Sequence, residues 1–457
     1  MAESNRDLTT GTVRSRLLQL GAPMTLGIVA AMAVPLMDSF YLGQIGTQPL
    51  AAISYTFPVV LTLMSLAIGL GAGTSSVVAR AIGDGGDQRA KCLSTDATIL
   101  ALALVAALSV VGYFTIRPIF GLLGATGETL AMVETYMEIW YLGYTPLAVM
   151  MVASNLMRAN GDAKTASVLL IGIAVFNAIL DPILIFGIGP IPAMEIAGAA
   201  WASFISQVLV MLFAIWVVVF RDRLVELGLR SLADTAKSWL KIGRIAVPAA
   251  FGNAVNPLGI TIVTGFIAGY GDDVVAGFGV ATRIESFVAI PMLALSAAIG
   301  PIAGQNFGKG EVGRVYDAHR QSYVFIAGWS VFVALVLWFA APFIARLFSD
   351  EEGVTSTIAT YLRIVPITLA GYGFSVVAAA GLNSIGRPLS ALGMYLIRTM
   401  LLYVPLAWFA STMFDAWGVF VAIAVANVAG GVAILLWSLK TLPGNDDDAP
   451  APASANV

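Results

Sequence analysis

Two aspartates interrupt stretches that are otherwise almost wholly apolar: Asp38 in MAVPLMDSFYLGQIG (32–46) and Asp181 in FNAILDPILIFG (176–187). Asn177 precedes Asp181 by four residues, so the two share one face if the segment is helical. A carboxylate and an amide oxygen are hard donors suited to Na⁺, and a carboxylate can instead carry a proton; the same atoms serve both. Ser203 and Ser206, in IAGAAWASFISQ (196–207), add hydroxyls, and Ser203 completes a cluster if the two segments pack side by side. Pro182 directly follows Asp181, and Pro23 and Pro35 precede Asp38; each removes a backbone donor and can bend a helix. Plainer roles stand beside these: Asp38 satisfied at the headgroups by water or Ser39, Asp181 capping a broken helix, Asn177 and Ser203 as packing groups. In the second half of the chain Glu285 and Asn256 are the candidates. Arg398 stands inside an apolar run with no partner that the sequence identifies, and His319 falls in a charged, solvated loop.

The elements that must position these residues are membrane helices. Of the 457 residues, 58% are hydrophobic and 11% charged, against about 25% charged in soluble domains, so lipid is the main solvent. Apolar windows of about 20 residues mark twelve spans, near 17–40, 50–76, 96–115, 131–154, 165–187, 196–219, 243–269, 276–304, 321–343, 357–380, 389–411 and 416–438. They lack the short alternating segments of a membrane barrel. The fold class is therefore an all-α integral membrane protein. Residues 1–16 form a polar cytoplasmic leader and 440–457 a disordered acidic tail. A charge placed at mid-membrane is costly, usually faces a wet cavity, and marks a functional site.

Other chemistry is poorly represented. The single cysteine, Cys92, and the single histidine exclude intramolecular disulfides and argue against zinc sites. No GxxxxGK[ST], HExxH or GxSxG sequence appears, which argues against ATP hydrolysis and against an enzyme. The net charge of −3 says little about partners in a chain this apolar, and no nucleic-acid partner is expected.

Lysine and arginine set the orientation. With the N-terminus inside, the outer loops hold only Arg117 and Arg346, and Arg283, Arg363 and Arg398 fall in or at the ends of spans. Both termini are then cytoplasmic. The chain also repeats: Pro23 and Pro248, Gly46 and Gly271, Ala51 and Ala276, Gly83 and Gly308, Tyr136 and Tyr361, and Gly161 and Gly386 are each 225 residues apart. Two six-helix lobes result, 17–220 and 245–439, joined by a basic cytoplasmic linker, 221–244. Each holds an even number of spans, so a pseudo-two-fold axis runs along the membrane normal, as in many secondary transporters. The halves differ in charge. Asp38 pairs with Val263, and Asp181, aligned on Pro182 and Pro405, pairs with Val404. The buried carboxylates are thus additions to a symmetric frame.

At the level of motifs, Asp38-SFYL-Gly43-QI-Gly46 resembles the multidrug and toxic compound extrusion (MATE) family. So do ARAIGDGGDQRAK (79–91) and its counterpart GPIAGQNFGKGEVGR (300–314), the paired motifs MRANGDAKTA (157–166) and LNSIGRPLSA (382–391), and NAILDPILIFG. The resemblance covers the chain to about Leu439. It implies a two-lobed, V-shaped antiporter that exports organic compounds, often cationic, against entry of Na⁺ or H⁺, with no other cofactor. In the family's prokaryotic DinF-like branch the coupling-cation residues correspond to Asp38, Asn177 and Asp181, with a hydroxyl, commonly Thr, where this chain has Ser203. The NorM-like branch has an acidic residue in span 7; here PAAFGNAVNPLG (248–259) offers Asn253 and Asn256 instead, and Glu285 leaves a C-lobe site open. The resemblance also implies a prokaryotic cytoplasmic membrane location; the chain is expected to act as a monomer. The alternative is a lipid-linked precursor flippase on a related scaffold, which would need a cationic cavity for pyrophosphate.

Overall fold

A computed structural model describes residues 6–226 and 231–442, and every regular element among them is helical. The acidic tail beyond 442 lies outside the described residues. In chain order the α-helices are α1 Val13–Ile45, α2 Thr47–Gly83, α3 Asp87–Leu122, α4 Gly127–Ala159, α5 Ala163–Phe186, α6 Glu195–Trp216, α7 Leu232–Ile267 and α8 Asp272–Val288. They continue as α9 Ile290–Gly308, α10 Val312–Phe348, α11 Glu352–Ile364, α12 Ala370–Ser384, α13 Pro388–Leu396, α14 Val404–Met413 and α15 Ala416–Thr441.

Among the described residues nine helical stretches are long and apolar enough to cross a membrane, and two bent pairs, α8–α9 and α11–α12, raise the number to eleven if each is one span, against the twelve expected. The expected span near 131–154 is helical as α4, whose 33 residues are diluted by Tyr, Trp, Pro and Asn. Three of the expected spans are broken. α8 and α9 meet at 43°, where Pro291 lacks an N–H, and α11 and α12 at 48°, across a 3₁₀ turn, Pro366–Thr368. The span near 389–411 divides into α13, a π-helical segment Ile397–Tyr403, and α14, which carries Pro405 in its first turn. Helices also outrun the hydropathy windows. α3 and α10 begin at Asp87 and Val312 because their charged first turns are helical too.

The repeat is visible in the helix ends. α2 and α8, α3 and α10, and α5 and α13 start 225 residues apart, and α2 and α9, and α4 and α12, end 225 apart. The turns that follow repeat as well. Gly85 and Gly310 have φ 74° and 83°, and Gly161 and Gly386 have φ 80° and 81°. Only glycine enters this left-handed region without penalty.

The chain divides into two compact units. The first holds Pro23–Ala250 with the residues just before Leu8; the second holds Leu8–Ala22 and the chain from Phe251 onward. The exchanges fall inside α1, at Pro23, and inside α7, whereas the sequence pattern set lobes beginning at 17 and 245. Residues 8–22, expected as leader and first span, belong with the second unit. There Leu8 N donates to Gln305 Oε1 at 3.0 Å and Asn306 Nδ2 to the Leu8 carbonyl at 3.1 Å.

In the first unit α4 is the central post, packed by α2, α3, α5 and α6. Tyr144 stacks on Trp140 at 5.2 Å and donates to the Leu63 carbonyl at 2.6 Å. In the second unit α12 packs against α9, α10 and α15, and the rings of Phe278, Tyr361 and Phe420 form the heart of a buried cluster. Aromatic groups of this kind dominate core energetics.

Candidate functional site

The N-terminal unit brings the expected residues together. Asp38 lies on α1, three residues after Pro35; Asn177 and Asp181 lie on α5, one turn apart; Ser203 lies on α6. Exposures of 5% for Asp38, 0% for Asn177 and Asp181 and 9% for Ser203 put the whole group inside the protein. Why α5 presents this face follows from its ends. Asp162 caps its N-terminus, accepting from Thr165 N at 3.0 Å and Thr165 Oγ1 at 2.8 Å, and α5 runs through Pro182 without a break. Pro23 and Pro35 likewise stand inside an unbroken α1.

Asn177 is the hub. With its amide nitrogen turned to the carboxylates, it donates to Asp181 Oδ2 at 2.9 Å and to Asp38 Oδ1 at 3.3 Å, and its oxygen accepts from Ser203 Oγ at 3.2 Å. Turned half-way round, the amide donates through Nδ2 to Ser203 Oγ at 3.2 Å and gives its oxygen to the carboxylates. A hydroxyl both donates and accepts, so Ser203 satisfies either orientation. The first suits a carboxylate pair facing amide protons; the second suits a cation lying among the oxygens. The two carboxyl groups are within hydrogen-bonding reach of each other. Such a bond needs a shared proton, and a cation can take its place.

Tyr136 of α4, 6% exposed, lies within electrostatic reach of both carboxylates. It was missed because a tyrosine in an apolar span reads as packing; its place in the 225-residue repeat was the only hint. Ser206 does not join the cluster, since its hydroxyl is spent on the Ala202 carbonyl at 2.7 Å. The N-terminal cap is tied down by charge as well. Arg221 Nη2 lies 2.5 Å from Asp162 Oδ2, and Arg6 lies 3.4 Å from Asp162 and 2.9 Å from Asp222. Burial pushes the Asp162 carboxyl up, but the hydrogen bonds from Thr165 and Arg221 outweigh it and hold it below the ordinary aspartate value.

In the second unit Glu285 of α8 accepts from the Tyr361 hydroxyl, and Asn256 of α7 accepts from Arg398 Nη1 at 3.2 Å. Arg398, left without a partner by the sequence pattern, also donates through Nη2 to Asn427 Oδ1 of α15 at 2.6 Å. His319 is a correction. It is fully buried on α10, not in a solvated loop, with Nδ1 against the Val315 carbonyl at 2.8 Å and its ring edge-on to Tyr323. The charged stretch around it forms the first turns of α10, and His319 lies on the face of that helix packed under Gly381 of α12. Among the described residues no three His, Cys, Asp or Glu side chains converge as a metal cluster.

The MatE family model matches residues 23–183 and again residues 248–409. The chain belongs to the MatE family. Its two matches begin at Pro23 and Pro248, the first pair of the internal repeat, so each half of this MATE transporter carries the family pattern. A Shewanella oneidensis protein named FAD transporter is 36% identical over 417 residues, spanning 91% of this chain and 92% of that one. A Bacillus subtilis protein named probable multidrug resistance protein YpnP is 26% identical over 412 residues, 90% of each. The structure of the Vibrio cholerae MATE transporter VcmN in the bent form has a TM-score of 0.88 at 29% identity, covering 94% of this chain and 97% of that one. This chain is accordingly a multi-pass membrane transporter of a two-lobed helical fold, and not an enzyme.

Proposed function

We propose that this MATE transporter exports organic compounds in exchange for Na⁺ or H⁺, and that the coupling cation binds at Asp38, Asn177, Asp181 and Ser203. The convergence of two carboxylates on one amide inside the first unit carries this reading. Nothing in general helix packing calls for a pair of buried acids there, since the symmetry-related positions are Val263 and Val404. A cation entering from outside lies between the carboxylates, the Asn177 amide turns its oxygen toward it, and Ser203 accepts the released N–H. Occupancy of the pair biases bending of α1 at Pro23 and Pro35 and of α5 at Pro182. Substrate arriving from the cytoplasm favours the emptied state. By reciprocal linkage the cation then favours substrate release, which is antiport. The transporter works as a monomer in a prokaryotic cytoplasmic membrane with both termini inside, a topology supported by the skew of its basic residues.

The relatives support two substrate readings. The name of the B. subtilis relative favours varied, often cationic drugs, and that of the S. oneidensis relative favours a flavin dinucleotide. Purified protein in vesicles loaded with either a cationic dye or FAD, driven separately by a Na⁺ gradient and a pH gradient, tests the proposal. Export under one gradient, lost in Asp38→Asn and Asp181→Asn, is expected. Gradient-independent movement of both compounds would sink the antiport reading, and movement of a lipid pyrophosphate alone would favour the flippase.

A further inference from the structure

Arg398 is a cation buried without a counter-ion. It lies in the π-helical segment Ile397–Tyr403, in the pass formed by α13 and α14, and is 4% exposed. Two amide oxygens fix its fork: Asn427 Oδ1 at 2.6 Å and Asn256 Oδ1 at 3.2 Å. The guanidinium lies 5.4 Å over the ring of Tyr372. Its Nε has no hydrogen-bond partner, and neither does Oγ1 of the adjacent Thr399, which is 1% exposed. Among the described residues no carboxylate comes within ion-pair distance of it. Glu285 interacts with it electrostatically but is taken by the Tyr361 hydroxyl.

This is an expensive arrangement to keep for packing alone. A buried charge is costly unless paired, and amides orient a guanidinium without neutralising it. An ionisable group inside a membrane pass is a candidate for function, and π-helical turns recur at functional sites. The surroundings are built to admit it. A Cβ at Gly430 would come within 2.9 Å of Arg398 Cγ, so a glycine on α15 leaves room for the side chain's stem. Asn256, Tyr372 and Glu285 are half-buried, and Tyr395 and Tyr403 add flat apolar surface within reach of the charge. Arginine's planar fork matches carboxylate and phosphate groups, and its charge complements them.

We propose that Arg398, held by Asn256 and Asn427 over Tyr372, is a subsite for an anionic aromatic compound, whose phosphate or carboxylate meets the guanidinium's charge from the side of the half-buried Asn256 and Tyr372. The inference deepens the exporter reading by naming a substrate class, but its test needs no transport.

Protein in phosphatidylcholine nanodiscs is titrated with naphthyl phosphate and with naphthol, which has the same rings without the phosphate, following ligand fluorescence. The wild type should bind the phosphate about tenfold or more tightly than naphthol, the value of one charge-assisted hydrogen bond. Arg398→Gln should abolish that preference, and Arg398→Lys should keep part of it. Thermal unfolding checks that both variants fold, and the wild-type comparison stands if they do not. Equal affinity for the two compounds in the wild type overturns the proposal, as does a folded Arg398→Gln that keeps the preference. Displacement of naphthyl phosphate by added phosphatidylglycerol also overturns it, since the site would then hold a lipid headgroup. Asp38→Asn separates the two readings: it should lose coupled export while keeping the preference for the phosphate.

Discussion

One amide, Asn177, spans 2.9 Å to Asp181 and 3.3 Å to Asp38, joining α5 to α1 through a single side chain. The contact with Asp38 comes from another helix and makes the carboxylates a pair. Replacing Asn177 by Leu keeps the volume but removes both donors, each a charge-assisted hydrogen bond of about 1.5–3 kcal/mol. A cation that binds only the folded protein also raises its melting temperature. The wild type should therefore unfold at higher temperature when the coupling cation is added, and Asn177→Leu should lose most of that increment. An unchanged increment would remove Asn177 from the site.

Ser203 distinguishes the two candidate cations. In the proposed Na⁺-bound state its hydroxyl accepts the N–H of the turned amide and so holds the Asn177 oxygen toward the ion, whereas a proton shared by the two carboxyl groups depends on it less. Ser203→Ala should raise the Na⁺ concentration for half-maximal export about tenfold, roughly one lost ligand interaction, and leave proton-driven export unaltered. If Na⁺-driven export is unaffected as well, Ser203 is only a packing residue.

Asp162 caps the N-terminus of α5, ahead of its apolar run, and gives a pH dependence whose sign is fixed. Hydrogen bonds and Arg221 hold its folded-state carboxyl below the unfolded value, which is about 3.9. Its contribution is thus complete above that value and is lost as pH falls through the lower folded-state value. Asp162→Ala should cost about 0.5–2 kcal/mol as a lost cap and should flatten the acid limb of a plot of melting temperature against pH. A variant as acid-sensitive as the wild type would show that other carboxylates govern that limb.

Gly371 of α12 and Gly431 of α15 meet backbone to backbone: a Cβ on Gly431 would lie 2.6 Å from Gly371 Cα, and one on Gly371 would strike the Asn427 carbonyl. Gly371→Val should cost about 1–3 kcal/mol by overpacking, read as a lower melting temperature in detergent. Because Asn427 also holds Arg398, the same variant should weaken naphthyl phosphate binding.

The buried carboxylate cluster was legible in the sequence because a charge inside an apolar run is rare, and because the repeat supplied Val263 and Val404 as uncharged controls. The repeat likewise marked where helices begin and end. Partners across helices were not legible. Asn427 lies in VANVAGGV, and nothing in that pattern says that α15 adjoins the segment bearing Arg398. Tyr136 looked like any aromatic in a span. The breaks at Ala289, Pro366–Thr368 and Ile397–Tyr403 were hidden because a hydropathy window averages over them. His319 was misplaced for the converse reason: polar residues around it suggested a loop, but α10 starts earlier and turns that one side chain inward.

The central claim is that substrate and cation exclude each other through Asp38 and Asp181. Coupling energies of this kind usually amount to about 5–150-fold in affinity. The direct measurement adds substrate to purified, weakly buffered protein and follows release of bound ²²Na⁺ and of protons. The account expects one of these to be released by the wild type and neither by Asp38→Asn, which still binds substrate. Substrate binding to the wild type with no cation released, or equal release from Asp38→Asn, would contradict it.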